Sequence, residues 1–370
     1  MSTPRTLLIT GGGTGGHIFP GMALREALLA EDPSLSFVWV GTADRLEARV
    51  VPAAGIPFET VDVAFLKGRH GIDRVRAALR LPGAMTRAMQ LLSRHRPAAV
   101  IGLGGFASGP CCAAAVLART PLFLLEQNAM PGLVTRALAR RARTVYSVFE
   151  AAGRHLPGAE IRPLGNPIRG AVLAPAERVA PQRGEPVRIL VVGGSQGARV
   201  FNEEMPSVAR SLTRQGVSLR IRHSAGRGNA EDTRRRYEAL ELAATVDDFI
   251  DDMAAAYAWA DLVITRAGAT TISELTAIGK PALYVPFPHA ADDHQTANAL
   301  AVVEAGGGLL VSDAEFRTDK PIRLLLPVLG HPEVLGRMGD AAQRLGRPDA
   351  GAAIARDLLA QIEHENREES

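Results

Sequence analysis

The feature that most limits what this chain can fold into is a strand, a glycine turn and a helix in immediate succession, and it occurs twice. Arg5 to Thr10 is a β-type run that leads into Gly11-Gly12-Gly13-Thr14-Gly15-Gly16-His17 and a helical pattern from Pro20 to Ala30. Val187 to Val192 leads in the same way into Gly193-Gly194-Ser195-Gln196-Gly197 and a further helix. Strand-like runs recur at 36–40, 98–101, 121–125 and 144–147, and again at 218–222, 261–265, 282–285 and 308–311, with helical stretches between them. Strands separated by helices at this spacing form βα units, and these build parallel sheets covered on both faces. The expected fold class is α/β, with two Rossmann-like parallel-sheet domains facing a cleft.

A length of 370 residues suits two domains. We expect an N-terminal domain at 1–165, a Pro- and Gly-rich linker region at 166–186, a C-terminal domain at 187–349, and a final helix and tail at 350–370. That helix is too short to be a domain; it either caps the second domain or crosses back to the first. With 46% hydrophobic and 22% charged residues the chain is globular, not disordered. The two cysteines, Cys111 and Cys112, are adjacent and build neither a disulfide framework nor a multi-cysteine zinc site. Pro97 to Ala118 is uncharged but broken by glycine and proline, so it reads as a buried strand, a turn and a small-residue helix instead of a membrane span. No secretory signal is apparent at the N-terminus, and a cytoplasmic body is expected.

Charge is uneven. Residues 1–165 hold 19 Lys and Arg against 11 acids, whereas the remainder is net acidic. Phe65 to Arg96 carries eight basic residues and the single acid Asp73, with Phe65, Leu66, Ile72, Leu79, Leu81 and Met85 interleaved. A polyanion, an anionic lipid surface or a phosphorylated substrate would each suit this half. Nucleic acid is disfavoured, because aromatics are only 5% and no helix-turn-helix or zinc pattern is present.

The first glycine turn lacks the Gly-Lys-Ser/Thr ending of a P-loop. It also lacks the dinucleotide fold's acid at the end of the second strand, since Asp44 comes four residues late. It reads as a phosphate or sugar-phosphate site, with a purely structural turn as the alternative, because glycine backbone and a helix N-terminus both favour an anion. His17 reads either as a general base or as a residue that positions the loop. A second small-residue turn, Gly102 to Gly109, also follows a strand. In the second half, Arg266 to Glu274 follows a strand and opens a helix near Gly268, offering free N–H groups and hydroxyls to a phosphate. Glu274 is placed to accept hydrogen bonds from a ribose diol, or else is an exposed helix acid. The polar tract 286–298 suits sugar hydroxyls, or else is an ordinary strand-to-helix loop. Asp292 and Asp293 are adjacent, and His289 and His294 have no evident third ligand, so no metal and no cofactor are expected.

Taken together, GGGTGGHIFPGMALREAL (11–28), GLGGFASGP (102–110), EQNAMPGL (126–133), GNPIR (165–169), GGSQGARVFN (193–202), the run 248–275 and PFPHAADDHQTANA (286–299) resemble the bacterial MurG glycosyltransferases. The matches run in order over almost the whole chain. The resemblance implies a GT-B fold and transfer of N-acetylglucosamine from UDP-N-acetylglucosamine to lipid I. It places Ile250 at uracil, Glu274 at the ribose, Ser195, Ala269 and Thr270 around the diphosphate, Arg169 in the donor site, and Gln295 and Asn298 at the sugar. Thr14, Gly15 and Gly16 would receive the acceptor's pyrophosphate, with His17 and Asn128 near the reacting groups. His17 is the first candidate for the base and Glu126 the second.

The sequence departs from the family at three places: Ser224 where glutamine often follows histidine, His294 where some members carry glutamine, and Thr135 where asparagine is frequent. The implied partners are the undecaprenyl-linked acceptor and cell-wall synthesis proteins; the charge pattern adds an anionic membrane surface contacted by part of Ile72 to Met85, with a helix whose apolar residues belong to the domain core as the alternative. The implied location is peripheral, on the cytoplasmic face of the cell membrane.

Overall fold

In the computed structural model, residues 5–63, 80–173, 184–194 and 196–368 are described. The chain divides into two compact units, Met1–Arg169 with Asp349–Ser370, and Gly170–Pro348.

The first unit is a parallel sheet of β1 (Thr6–Thr10), β2 (Ser36–Gly41), β3 (Phe58–Thr60), β4 (Ala99–Gly102), β5 (Leu122–Glu126), β6 (Thr144–Ser147) and β7 (Ile161–Arg162), in the order β3-β2-β1-β4-β5-β6-β7. Side chains of a strand alternate between faces, and in β1 that alternation feeds two cores. Leu7 and Ile9 join Trp39, Ile101 and Leu125 on one face; Leu8 joins Val38, Val100 and Leu124 on the other. The second face is covered by Ala88, Leu91 and Leu92 of the helix Leu81–His95 and by Cys111, Cys112, Ala114 and Ala115 of the helix Gly109–Leu117. Both cysteines are buried and free, and burial pushes the Cys111 thiol up to about 11, so they serve as small packing groups. The uncharged stretch thus resolves into strand, turn and helix. No helix among the described residues is long and apolar enough to cross a membrane.

Helix α1 (Gly15–Glu31) starts earlier than the sequence pattern suggests, with Pro20 inside it. Packing outweighs the missing hydrogen bond. Ile18, Pro20, Leu24 and Leu28 are buried, and at Gly21 the helix lies so close to the sheet that a methyl group would sit 2.3 Å from Leu103 and 2.7 Å from Trp39. Short strands β3 and β7 were not evident from sequence; each is an edge strand of two or three partly exposed residues without an apolar run.

The last helix, Ala350–Glu368, belongs to the first unit. Ile354, Leu358 and Ile362 share a core with Leu24 and Leu28 of α1. A polar cluster fixes its rotation: Asp357 accepts from the Tyr146 hydroxyl at 2.7 Å and from Gln361 at 2.8 Å, and it pairs with Arg162. Burial, and then the hydrogen bond to Asp357, push the Tyr146 phenol above its ordinary range. The crossing-back alternative is the one adopted, because this helix supplies an apolar face that α1 alone leaves uncovered.

The second unit is also parallel: β8 (Val187–Val192), β9 (Leu219–Ser224), β10 (Ala244–Asp247), β11 (Leu262–Thr265), β12 (Ala282–Tyr284) and β13 (Gly308–Leu310), ordered β10-β9-β8-β11-β12-β13. The helix Arg199–Arg214 buries Val200, Phe201, Met205, Val208 and Leu212 against it.

The Asp357 cluster yields a stability prediction. Asp357→Ala leaves the buried Tyr146 hydroxyl without its acceptor and should cost about 1–3 kcal/mol in denaturant unfolding of the first domain. Tyr146→Phe combined with Asp357→Ala should cost less than the sum of the single changes. Strict additivity would show that the two groups are not coupled.

Candidate active site

In a doubly wound sheet, ligands collect at the carboxyl ends of the two adjacent strands where the order reverses. In the first unit these are β1 and β4, paired to their last residues, Thr10 with Gly102. The two glycine turns of the first half leave from those two ends, so the topology brings them side by side.

The contacts are close. A methyl group on Gly11 would lie 2.8 Å from Leu103 Cβ, and one on Gly105 would lie 3.1 Å from both the Gly12 carbonyl oxygen and His17 Cδ2. Gly105 has φ 71° and ψ 163°, a region open essentially to glycine alone. The half-buried His17 imidazole therefore lies against the Gly104–Gly105 backbone. Gln127 ties in the third segment by donating to the Leu103 carbonyl at 3.1 Å.

Glu126, at the end of β5, is 2% exposed. One carboxylate oxygen accepts from the Asn128 backbone and side chain at 3.1 and 3.4 Å, the other from Gly132 N–H at 3.0 Å. Burial pushes this carboxyl above its ordinary range, while hydrogen bonds from Thr135, Asn128 and Gly132 pull it down. The group ties the 127–132 loop to the first turn of the helix Leu133–Leu138, and Asn128 sits half-buried within that loop. Thr135, one of the departures from the family pattern, is thus a donor to Glu126. Thr14 is exposed and Gly15 and Gly16 open α1 beside it. Arg169 stacks its guanidinium 4.7 Å from the Phe19 ring centre.

Glu47 is the residue that sequence reasoning missed. It is fully buried, and its carboxylate accepts from Gly13 N–H at 2.8 Å, Thr42 N–H at 3.1 Å and the Thr42 hydroxyl at 2.8 Å. The one available signal was an acid shortly after the second strand, where a dinucleotide fold keeps a ribose-binding carboxylate. Here the acid turns inward onto the glycine turn.

In the second unit the reversal falls between β8 and β11, paired to Val192 and Thr265. The Gly193–Gly197 turn packs on the end of β9 backbone to backbone: a methyl group on Gly197 would fall 1.9 Å from the Ala225 carbonyl oxygen. Ser195 lies outside the described residues. After β11, extended Gly268 leads into the helix Ala269–Ala277, with Ala269 buried and Thr270 half-buried at its start.

Glu274 is 6% exposed and accepts from the Tyr257 hydroxyl at 3.1 Å, which corrects the alternative of an exposed helix acid. Ile250 is buried. Gln295 accepts from Phe287 N–H at 2.9 Å, and Asn298, fully buried, donates to the Ala267 carbonyl at 3.4 Å. The Gln295 bond closes the sugar tract on itself, and the Asn298 bond joins that tract to the loop after β11. Arg266 reinforces the junction. It stacks between Phe201 and Phe287, pairs with Asp313 at 2.6 Å, and donates to the Val285 and Pro286 carbonyls at 3.2 Å. His294 is half-buried at the first turn of its helix. Among the described residues no three His, Cys, Asp or Glu side chains gather as a metal-ligand set.

Two parallel-sheet domains, each with a glycine turn at its strand reversal, make this a protein of the GT-B fold, and the family models give its class as a glycosyltransferase. The glycosyltransferase family 28 N-terminal domain matches residues 7–147 and the family 28 C-terminal domain matches 188–354.

Two curated relatives carry the name UDP-N-acetylglucosamine--N-acetylmuramyl-(pentapeptide) pyrophosphoryl-undecaprenol N-acetylglucosamine transferase. The one from Aeromonas hydrophila subsp. hydrophila is 43% identical over 98% of this chain and 99% of its own length. The one from Alkalilimnicola ehrlichii is 44% identical over 95% and 98%. The crystal structure of Acinetobacter baumannii MurG matches with a TM-score of 0.79 at 30% identity, over 97% of this chain and all of that one. A putative UDP-N-acetylglucosamine 2-epimerase from Listeria monocytogenes, at 16% identity and TM-score 0.68 over 99% and 97%, shares the fold alone. The chain belongs to the MurG family.

The packing of the two turns makes Gly105 a sensitive position. Gly105→Ala should impose about 1–3 kcal/mol of backbone strain and push His17 aside. Glycosyl transfer should fall steeply while UDP affinity, measured by calorimetry, stays at the wild-type level. Full activity in this variant would show that the second turn does not support the first.

Proposed function

We propose that the first domain receives the acceptor and the second the donor, with His17 as the general base. The chain is an N-acetylglucosaminyltransferase. It moves N-acetylglucosamine from UDP-N-acetylglucosamine to the C4 hydroxyl of the N-acetylmuramoyl sugar of lipid I, with inversion, releasing UDP and forming lipid II. The observation that carries the assignment of roles is the placement of His17 between two glycine turns at the β1–β4 reversal.

The chemistry follows from the bond broken. UDP leaves readily once its diphosphate charge is stabilised, so a single displacement needs no covalent enzyme intermediate. In the second domain that stabilisation falls to the start of the helix Ala269–Ala277, together with Thr270 and Ser195. Glu274, oriented by Tyr257, takes the ribose diol, Ile250 lies at the uracil, and Gln295 and Asn298 shape the sugar loop. Arg169 completes the donor set. In the first domain, Thr14, Gly15 and Gly16 receive the acceptor's pyrophosphate, and Asn128 orients the muramoyl sugar.

The incoming C4 hydroxyl gives its proton to the His17 imidazole as it attacks. Glu126 ranks behind His17 because its two oxygens already hold the 127–132 loop. Helix termini and arginines supply the positive potential, so no divalent metal is required.

A lipid-linked acceptor brings the chain to the cytoplasmic face of the cell membrane as a peripheral protein, with other cell-wall synthesis proteins as neighbours. The basic, apolar run proposed to rest on anionic lipid lies largely outside the described residues, which omit 64–79. Of its remainder, Leu81 is exposed, Arg80 pairs with Asp62 at 3.3 Å, and Met85 packs against the core instead of facing outward.

Two measurements test these roles. His17→Ala should lower kcat about 10²–10⁴-fold on a soluble lipid I analogue while leaving donor affinity unchanged; a near-normal kcat moves the base to Glu126. Glu274→Ala should lose charge-assisted hydrogen bonds of about 1.5–3 kcal/mol each and weaken UDP binding accordingly. Unchanged UDP affinity in a folded variant would remove Glu274 from the ribose.

A further inference from the structure

Three neighbouring glycines open the first domain's site, and the structure separates what each one is for. At Gly11 the space is filled by Leu103. At Gly12 a methyl group would land 2.2 Å from the Glu47 carboxyl group, and at Gly41, on the neighbouring strand, 2.7 Å from Glu47 Cγ. At Gly13 nothing lies within 4 Å, and the backbone is held at φ 91°. The first two glycines therefore make room for the protein's own side chains. Only the third borders open space, and it is the one whose N–H Glu47 binds.

Glu47 is the first residue of α2 (Glu47–Ala53), so its charge lies at the favourable end of a helix dipole. A fully buried carboxylate is stable only when its lone pairs are occupied. Here they are, by three donors: one from the glycine turn and two from Thr42 at the end of β2. The carboxylate thus cross-links the turn after β1 to the segment after β2. The open side of the turn meets α1 and His17 within four residues, so the conformation that Glu47 imposes at Gly13 sets where Thr14 and the start of α1 begin.

We infer that Glu47 is a positioning residue for transfer: it holds the first glycine turn, and through it Thr14 to His17, in the geometry that receives the acceptor. This rests on the reading of that turn as the acceptor-side site. Glu47 touches no substrate and exchanges no proton. Its part is to fix in advance a backbone that otherwise has the freedom of five glycines in the seven residues from Gly11 to His17.

Glu47→Gln keeps the volume but replaces one acceptor oxygen with an amide N–H donor group, so the side chain cannot accept from both Gly13 and Thr42. The assay is steady-state transfer to a soluble lipid I analogue, with UDP affinity by calorimetry and the melting temperature recorded in parallel. We expect kcat/KM for the acceptor to fall about 10–100-fold, with UDP affinity unchanged. Acceptor kinetics within about twofold of wild type in a folded variant overturn the inference. So does an equal loss towards donor and acceptor with a lowered melting temperature, since that is what a merely structural carboxylate would give.

If the Gln variant does not fold, Thr42→Val, which removes one donor and keeps the size, should show the same acceptor-selective loss at about 2–5-fold; no loss there also overturns the inference. His17→Ala in the same assay separates this proposal from the assignment of the base. A large loss at His17 with none at Glu47 defeats only the role of Glu47. A loss at Glu47 with none at His17 supports the turn as an acceptor site and defeats only the base.

Discussion

Strand β1 is flanked by β2 on one side and β4 on the other, and the chemistry of the first domain depends on that reversal. Chain leaving β1 and β2 turns to one face of the sheet and chain leaving β4 and β5 to the other, and at the carboxyl edge the turns after β1 and β4 meet in close contact. Beneath them Thr10 and Gly102 are paired in register. Everything assigned to the acceptor side, from the first glycine turn to the Glu126 loop, is attached to those strand ends. The second domain repeats the device between β8 and β11 and fills it differently, with a helix start and a buried acid where the first domain has a histidine.

Two buried carboxylates in the first domain bind backbone N–H groups of neighbouring loops. Glu126 closes the loop that follows β5, and Glu47 clamps the turn that follows β1. Burying a charge is costly unless hydrogen bonds replace its water, and each of these acids accepts from main-chain N–H groups of the loop it organises. A glycine-rich turn gains close approach to a ligand but has many conformations to lose on ordering. An internal anion that binds its N–H groups restores order without adding side chains to the open face. In the second domain a cation plays the comparable part. Arg266, stacked between two phenylalanines and paired with Asp313, holds the segment after β11 to the one after β12.

Much of the architecture was legible because parallel strands buried on both faces must read as continuous apolar runs. The inner strands of the two sheets, such as β1, β6 and β8, stand where those runs predicted them. The edge strands β3, β7 and β10 did not announce themselves, because half-exposed residues carry no such signal. Helix α1 began before its proline because the cost of one missing hydrogen bond is local, whereas the contact of Gly21 with Leu103 and Trp39 is not visible in the spacing of residues.

The sequence by itself determined the fold class, the two glycine turns, the chemical types gathered at each, and the family to which they belong, since all of these reside in local composition and in motifs along the chain. Tertiary structure alone decided the partners of those groups. It paired Glu47 with Gly13 across 34 residues, placed Gly105 against His17, buried Glu274 under Tyr257, and returned the last helix to the first domain through Asp357 and Tyr146. The physical reason is that a hydrogen bond or a close approach between distant segments depends on strand order and register, and no periodicity in the sequence encodes which loop an isolated acid will face.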